Sequence, residues 1–247
     1  MHAGERSEIT CLDPFGEVLA PCRELRWTCR YLSVPEPDVG RGRGRMTVGK
    51  VITEASMSLD GFIAKQDNTI GRLFDWLQNG DLEIPTPAED FSVHLTPQTA
   101  EHWRRWTSQL GALVVGRTLF DFVDGWNGRH TLDVPVVVVT HQIPTNWVES
   151  HPDAPFSFVT DGVEAAVSRA QQIAGDRTVF VSAGTIARQC LELGLLDEVM
   201  IDLVPVVMGK GRPFFGEFSL EDVPLNDPTV CIQGKQVTHL VFPVAHS

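Results

Sequence analysis

The sequence has no apolar run long enough to span a membrane. Its longest such run, residues 134–139, has the length of a buried strand and contains a proline, whereas a membrane helix needs about 20 apolar residues. The N-terminus carries Glu5, Arg6 and Glu8 and lacks the apolar segment of a signal peptide. The five cysteines include no C-x-x-C pair, which argues against a disulfide framework and a structural zinc site. We therefore expect a reduced, cytoplasmic protein.

Basic residues are also scarce. The chain has 20 Lys and Arg against 32 Asp and Glu, which gives a formal net charge of −12. The two signs balance within residues 1–45, so the whole excess of negative charge belongs to residues 46–247. Such a domain repels polyphosphate backbones, and we expect no nucleic-acid partner for it. An anionic cofactor could bind only where a pocket is locally basic or rich in backbone N–H groups.

Residues 1–45 differ from the rest of the chain in composition. They show no sustained helical or strand period and end in a Gly-Arg repeat at residues 40–45. Sequence of this kind cannot bury a core. We expect a disordered leader, or upstream sequence ahead of a true start at Met46, and one domain over residues 46–247. RNA binding through the Gly-Arg repeat is the alternative role for this segment.

From Met46 onward, strands alternate with helices. The pattern predicts strands at residues 48–55, 62–64, 112–115, 135–139, 156–159, 178–181 and 198–204, and helices at residues 96–109, 118–123, 161–174 and 184–193. Asp161 and Glu164 predict a capping box at the third helix. Residues 229–233 and 237–244, joined at Gly234, predict a hairpin, and residues 66–97 predict a long loop.

These elements predict an α/β protein. Strands that alternate with helices of about ten residues indicate a mostly parallel sheet with helices on both faces, which gives three layers. The final hairpin adds antiparallel strands at one side of that sheet.

The usual nucleotide-binding signatures are missing. No G-x-G-x-x-G follows the first strand and no P-loop occurs, which argues against a Rossmann dehydrogenase. Two strand-to-helix junctions could bind phosphate instead. At residues 115–118, the planar guanidinium of Arg117 could bind a phosphate; alternatively, Arg117 is a surface residue that follows a strand ending in glycine. At residues 181–186, small residues fit either a pyrophosphate or tight packing of a helix on a strand.

Short motifs in a fixed order carry a family resemblance. They are MSLDGFIA at residues 57–64, GRT at 116–118, VSAG at 181–184, and LLDE at 195–198 followed by GKGRPFF at 209–215. This order resembles the dihydrofolate reductase superfamily, and within it the branch that contains the reductase domain of the bacterial riboflavin-biosynthesis deaminase-reductase. The resemblance covers residues 46–245 and implies a dihydrofolate-reductase-like fold. It also implies an NADPH-dependent reductase, commonly a homodimer, whose small substrate is heterocyclic (pterin- or pyrimidine-like) or a carbonyl compound.

The resemblance assigns NADPH-binding residues at two strand ends. Gly116, Arg117 and Thr118 match the turn that contacts the NADPH phosphates, with Arg117 near the adenosine 2′-phosphate. Thr140 and His141 match the segment that lies along the adenosine end. NADPH, rather than NADH, is therefore the expected cofactor.

A third cofactor-binding segment departs from the family pattern. Ser182, Ala183, Gly184 and Thr185 match the glycine-rich turn under the pyrophosphate, where relatives usually have adjacent glycines. Ala183 stands in place of one of them, so whether this chain keeps the cis peptide of its relatives is open at this point.

The substrate side is less well marked. Asp60 and Gly61 match the loop at the edge of the nicotinamide pocket. Reduction of a C=N or C=O bond needs a proton, and the candidate donors are Asp60, Glu89 and Asp90. We take Asp60 first, although an Asp-Gly turn explains it equally well. Trp126 either forms the floor of a ring-binding pocket or anchors its own loop.

Two further expectations complete the sequence-based picture. The missing proton donor and Ala183 also fit a catalytically degenerate module of the same fold that binds a nucleotide or flavin without turnover. The eight histidines show no H-x-x-x-H spacing, so we expect no metal site.

Overall fold

The computed structural model describes residues 49–88, 91–217 and 222–245. The leader predicted over residues 1–45 and the start at Met46 lie outside this part of the chain, and so do the candidate donors Glu89 and Asp90. None of the helices in these three ranges is both long and apolar enough to cross a membrane.

The described residues form strands and helices that alternate along the chain. The strands are β1 (Val51–Ser58), β2 (Phe62–Ala64), β3 (Leu82–Pro85), β4 (Ser92–Leu95), β5 (Leu110–Gly116), β6 (Val136–Val139), β7 (Phe156–Val159), β8 (Thr178–Ser182), β9 (Glu198–Val204), β10 (Arg212–Pro213), β11 (Val230–Gln233) and β12 (Thr238–Pro243). The helices are α1 (Pro97–Thr107), α2 (Arg117–Phe122), α3 (Thr145–Ser150), α4 (Val163–Ala174) and α5 (Thr185–Glu192).

Eight of the strands form one sheet in the order β11-β12-β9-β1-β8-β5-β6-β7. All neighbours from β9 to β7 pair in parallel, whereas β12 is antiparallel to both β9 and β11. β6 consists of four consecutive valines that are almost entirely buried. Such a run is typical of a parallel strand covered on both faces. The predicted α/β fold and C-terminal hairpin are therefore confirmed.

The two faces of the sheet carry different layers. On one face, α4 and α5 pack on a buried cluster that includes Val114 and Val181. α4 presents Val163, Ala166, Val167, Ala170 and Ala174 to the sheet, one apolar stripe at helical spacing. On the other face, Trp106 of α1, Phe120 of α2 and Trp147 of α3 contribute to the cover over β5, β6 and β7. The helices on both faces give the predicted three layers.

The prediction that residues 66–97 form a loop is wrong. β3 and β4 form an antiparallel hairpin in this stretch, and a short 3₁₀ helix at Asp75–Leu77 buries Trp76. Ile84, Val93 and Leu95 of the hairpin are buried. The prolines and aspartates of the stretch suggested loops, whereas the alternation of apolar residues along both strands is the signal that was missed.

Two helix predictions also need correction. The capping box of Asp161 and Glu164 does not form, because α4 begins after Gly162, which has φ of 92° and provides no side-chain cap. The chain enters α4 through this glycine, so Asp161 lies one residue too early to cap it. α3 was not predicted, because it has six residues and buries none of them, and so shows no apolar period.

Candidate functional site

A cleft with a volume of about 1550 Å³ opens at the carboxyl ends of β5, β6 and β8. It continues along the sheet past Glu54 of β1 and Phe180 of β8. Typical small-molecule pockets have volumes of roughly 300–1,000 Å³, so this cleft has room for two ligands side by side. Ligands of open α/β sheets bind outside the carboxyl ends of the strands. The cleft is therefore the candidate functional site.

Most of the residues that the sequence analysis selected meet in this cleft. Those that line it are Gly116, Arg117, Thr118, Trp126, Thr140, His141, Ser182, Ala183, Gly184 and Thr185. They come from four separate segments that the parallel sheet brings to one edge. Their roles in binding stay predictions; among the predicted residues that the structure describes, Asp60 and Gly61 do not line the cleft.

The turn between β8 and α5 has a conformation that requires glycine. Gly184 has φ of 87° and ψ of −140°, a region that side-chain-bearing residues rarely adopt. Its N–H donates to the carbonyl of Phe214 at 2.6 Å, which fixes the turn against the segment after β10. No peptide bond in the described ranges is cis, including that between Ala183 and Gly184.

The start of α5 presents backbone donors to the cleft. No side chain caps this helix at Gly184, so the N–H groups of its first turn have no side-chain acceptor there. One turn later, Arg188 also lines the cleft. Its Nε is buried, lies 3.8 Å from the carboxylate of Glu192 and has no hydrogen-bond partner among the described residues. This end of the cleft can bind an anionic group.

Arg117 connects two of the segments that line the cleft. Its Nε donates to Oδ1 of Asp121 at 2.7 Å, and its Nη1 donates to the carbonyl of Gln142 at 2.8 Å. Nη1 also lies 3.3 Å from the hydroxyl of Thr140. These contacts hold the guanidinium between α2 and the end of β6, where Thr140 and His141 follow.

Trp126 lies in a turn of unusual backbone conformation. The residues from Asp124 to Gly128 all have positive φ, and Trp126 itself has φ of 50°. This conformation is strained for a bulky side chain, and such strain concentrates at functional sites. The indole packs edge-on against His130, with ring centroids 4.6 Å apart, and both side chains line the cleft.

Asp60, the first candidate proton donor, is held by hydrogen bonds outside the cleft. Its carboxylate accepts hydrogen bonds from the Ser58 hydroxyl at 2.7 Å and from the N–H groups of Met208 and Gly209 at 3.0 and 2.6 Å. The hydrogen bond from Ser58, followed by those from the two backbone groups, lowers the pKa of Asp60 to about 2. A carboxylate that is ionised and already occupied cannot donate a proton. Asp60 therefore ties the turn after β1 to the segment after β9.

A different carboxyl group, that of Glu54, lines the cleft. Glu54 lies on β1, and its side chain forms a hydrogen bond with Asp202 of the neighbouring strand β9. Asp202 Oδ1 lies 2.6 Å from Nδ1 of His239 on β12, and Nε2 of His239 lies 3.2 Å from the hydroxyl of Thr99 on α1. We call these four residues the buried polar network; Asp202, His239 and Thr99 are almost completely inaccessible, and Glu54 is partly exposed.

Burial changes the protonation of this network. Burial, followed by the charge of Asp202 and the hydrogen bond with it, raises the pKa of Glu54 well above its ordinary value. Burial also raises the pKa of Asp202, and the hydrogen bond from Glu54 opposes that rise. Burial lowers the pKa of His239 to about 4. The ring of His239 is then neutral at physiological pH, and the two carboxyl groups share at least one proton, because two adjacent anions would repel each other.

The same region contains a group of metal-binding residue types. Ligand atoms of His102, Asp202 and His239 lie within 4.8 Å of one another. A tetrahedral zinc ion holds two ligand atoms roughly 3.3 Å apart, whereas the His239 and Asp202 atoms are 2.6 Å apart, at hydrogen-bond distance. The rings of Trp76 and His102 pack on His239 as well. We therefore interpret the group as a hydrogen-bond network.

Four residues of this region were not predicted from the sequence: Glu54, Asp202, His239 and Arg188. A usable signal was present for the first two, because Glu54 is the single charged residue of β1 and Asp202 stands between Ile201 and Leu203 in β9. Acidic residues at such positions are rare unless they are paired. His239 and Arg188 carried no comparable signal, because a single histidine or arginine in a strand or helix is ordinary.

Comparison with known proteins gives one family and several relatives. A family model described as the RibD C-terminal domain matches residues 49–238. The uncharacterized protein YwjB of Bacillus subtilis (strain 168) is 26% identical over 172 residues, which are 70% of this chain and 86% of YwjB.

Solved structures show the same fold at low sequence identity. A presumed riboflavin biosynthesis protein from Shewanella sp. PV-4 has a TM-score of 0.57 and 20% identity, with 80% of this chain and 99% of that chain covered. A pyrimidine reductase-like protein from Corynebacterium diphtheriae has a TM-score of 0.52 and 12% identity, with 84% of this chain and 97% of that chain covered.

Proposed function

The chain belongs to the family of RibD C-terminal domains, and from this membership we propose that it is a reductase. The proposed reaction is hydride transfer from a nicotinamide cofactor, NADPH, to a small heterocyclic substrate of the pyrimidine type. The family resemblance and the dihydrofolate-reductase-like fold predicted from the sequence are confirmed. The cofactor, the substrate and the site residues are proposals, and the observations below support them.

The observation that carries the proposal is the composition of the cleft. One end combines the turn before α5 with two arginines, Arg117 and Arg188, and the other combines apolar rings with the carboxyl group of Glu54. An anion-binding end joined to an apolar end with one acidic group suits a phosphate-bearing cofactor beside a reducible ring. Three arginines and two glutamates line the cleft, whereas the protein as a whole is acidic.

The residues at the anion-binding end fit a dinucleotide. The turn at Gly184 leaves open space on the side where a Cβ atom would stand, and the uncapped N–H groups of α5 supply donors. We propose that Ser182, Ala183, Gly184 and Thr185 hold the pyrophosphate. When bound, the reduced nicotinamide supplies a hydride.

Arg117 is the basis for proposing NADPH over NADH. Its guanidinium is held between Asp121 and Gln142, next to Thr140 at the end of β6. Arginine binds phosphate oxygens through a fixed fork of donors. A 2′-phosphate at this position would gain a charge-assisted hydrogen bond that NADH cannot make.

The other end of the cleft fits a flat, partly polar ring. Phe180, Leu113 and Trp126 line it, and Phe180 is stacked on Trp106, which fixes its orientation. Aromatic side chains of this kind bind heterocycles face to face or edge to face. The pyrimidine class is taken from the pyrimidine reductase-like neighbour and the family. We also propose a homodimer, which size-exclusion chromatography with light scattering would test.

Titration calorimetry of the full chain with NADPH and NADH, followed by an assay of NADPH oxidation with pyrimidines, pterins and quinones, tests the proposal. Micromolar binding of NADPH, clear preference over NADH and turnover with one of these classes are expected. No binding of either cofactor by the folded protein would exclude the reductase. Tight binding without oxidation under any substrate would instead favour the degenerate binding module.

A further inference from the structure

We propose that Glu54 is the proton donor of this reaction and that Asp202 and His239 are its positioning residues. This inference rests on the proposed reductase function and supplies the proton that reduction of a C=N or C=O bond requires. Glu54 occupies a position that no cofactor-binding motif includes.

The place of Glu54 in the sheet brings it to the cleft. β1 is a central strand between β9 and β8, and Glu54 lies opposite Met200 on β9 and Ser182 on β8. Of the acidic side chains in the described part of the chain, Glu54 and Glu217 line the cleft, and Glu217 is an exposed residue that follows β10. Glu54 is therefore the carboxyl group of the sheet that lines the cleft, and it lies beside the rings of the apolar end.

The hydrogen bonds of the buried polar network give one consistent assignment of protons. The hydroxyl of Thr96 donates to that of Thr99 at 3.1 Å, so the Thr99 hydroxyl is free to donate to Nε2 of His239. Nδ1–H of His239 then donates to Asp202 at 2.6 Å. Because His239 already donates to Asp202, we assign the proton that the two neighbouring carboxyl groups share to Glu54.

The surroundings of Glu54 keep that proton in place at neutral pH. Its pKa is raised by burial and by Asp202. Behind Asp202, the pKa values of His239 on β12 and His102 on α1 are both lowered to about 4, by burial and, for His102, also by the charges of His239 and Arg105. Neither ring therefore offers a positive charge that would ionise Glu54. The other titratable or charged side chains that line the cleft are Arg117, His130, His141, Arg188, Arg212 and Glu217.

The chemical step balances with one hydride and one proton. The hydride comes from the reduced nicotinamide and bonds to the carbon of the substrate double bond. The O–H of Glu54 turns from Asp202 to the substrate, and its O–H bond breaks as the nitrogen or oxygen of that double bond takes the proton with the electron pair released from the π bond. Glu54 is left as a carboxylate beside Asp202, and repulsion between the two anions favours its reprotonation from solvent through the cleft.

The first test needs neither substrate nor cofactor. Carbon-13 NMR of the full chain with labelled Glu and Asp side chains, titrated with pH, reports the protonation of each carboxyl group. The variants Glu54→Gln and Asp202→Asn identify the two signals, and Glu198→Gln, at the start of the same strand as Asp202, is the matched control. We expect Glu54 to titrate far above an ordinary glutamate, and its titration to move to lower pH in Asp202→Asn. Ordinary titration of Glu54 would overturn the inference.

The second test separates the proton donor from cofactor binding. Loss of a general acid costs about 10²–10⁴-fold in kcat, so Glu54→Gln should lose that factor while its affinity for NADPH stays that of the wild type. As the pH rises, Asp202→Asn should lose activity at a lower pH than the wild type does. The pH profile of Glu198→Gln should match that of the wild type. Full kcat in Glu54→Gln would overturn the assignment.

Failure of the proposed function would look different. A wild type that binds no cofactor or reduces no substrate, yet shows the raised titration of Glu54, would refute the reductase and with it the role of Glu54 in reduction. Ordinary titration of Glu54 in an active reductase would refute only the present inference. If Glu54→Gln does not fold, Glu54→Asp retains a carboxyl group at a shorter reach and is expected to lose kcat while the NADPH affinity is retained.

Discussion

Nη1 of Arg117 donates a hydrogen bond to the backbone carbonyl of Gln142 at 2.8 Å. This contact joins the start of α2 to the segment after β6 and holds the guanidinium at the edge of the cleft. A guanidinium has five N–H donors, so the hydrogen bonds to Asp121 and Gln142 leave donors for a phosphate. The orientation of Arg117 is therefore set by the protein before any ligand binds.

Arg117→Ala should remove the preference for NADPH. A hydrogen bond to a charged group contributes about 1.5–3 kcal/mol, so we expect the Kd for NADPH to rise by roughly 10–100-fold, and that for NADH to change little. Titration calorimetry measures both. Arg129→Ala is the matched control, because Arg129 has the same hydrogen bond to an aspartate four residues later, at 2.7 Å, but does not line the cleft. Equal losses for the two cofactors would contradict the assignment.

The two glycines that flank α5 allow a role in cofactor binding to be distinguished from a role in folding. Gly184 begins the helix with φ of 87°, Gly194 follows its end with φ of 66°, and an added Cβ would meet nothing within 4 Å at either position. Alanine should cost about 1–3 kcal/mol of unfolding free energy at both, because each must keep a positive φ. Only Gly184→Ala should also weaken NADPH binding, because only Gly184 lines the cleft. Similar cofactor affinity in the two variants would refute the placement of the pyrophosphate.

Asp60→Asn should lower stability without moving the pH profile of catalysis. The folded pKa of Asp60, about 2, is below its ordinary value of 3.8. Its contribution to stability is therefore complete above pH 3.8 and is lost as the pH falls toward 2. Urea denaturation should show the variant less stable at neutral pH, with the gap narrowing in acid. A shift in the pH at which kcat falls would restore Asp60 as a candidate donor.

His102→Gln should make the protein less sensitive to mild acid. Burial, followed by the charges of His239 and Arg105, lowers the pKa of His102 from 6.5 to about 4. As the pH falls, His102 therefore takes up a proton in the unfolded chain before it does so in the folded protein. Its contribution to stability is complete above pH 6.5 and declines as the pH falls toward 4. One such proton corresponds to about 1.4 kcal/mol per pH unit.

The difference between the two denaturation curves isolates His102, because the pair of Glu54 and Asp202 titrates in both proteins. Trp103→Phe, a neighbour on α1 without a titratable group, should give a curve parallel to that of the wild type. Parallel curves for His102→Gln and the wild type would show that His102 titrates normally.

The elements that could be predicted from the sequence are those whose apolar pattern is contained within a few consecutive residues. The valines of β6 and the apolar stripe of α4 define their elements within a few residues. The hairpin of β3 and β4 was missed because Pro85 and the neighbouring polar residues mask an alternation only four residues long in each strand. α3 has six residues and buries none of them, so no apolar period could appear.

The residues of the candidate site also differ in how far the sequence allows them to be selected. The residues proposed for the cofactor side could be selected from the sequence because each contributing segment is a short contiguous motif at the end of a strand. The buried polar network was not, because it is assembled from β1, β9, β12 and α1, and the pairing register of the sheet decides which side chains meet. The hydrogen bonds of Asp60 could not be predicted, because its partners Met208 and Gly209 are supplied by a distant segment.

The hydrogen bond between Thr99 and His239 closes a span of 140 residues. Contacts of such long sequence separation lose the most chain entropy on closure and tend to form late in folding. β5, β6 and β8 can align the cofactor end of the cleft before β12 pairs with β9, whereas Asp202 gains its histidine only after that pairing. We therefore expect the capacity to bind the cofactor to appear earlier during refolding than the capacity to turn over substrate.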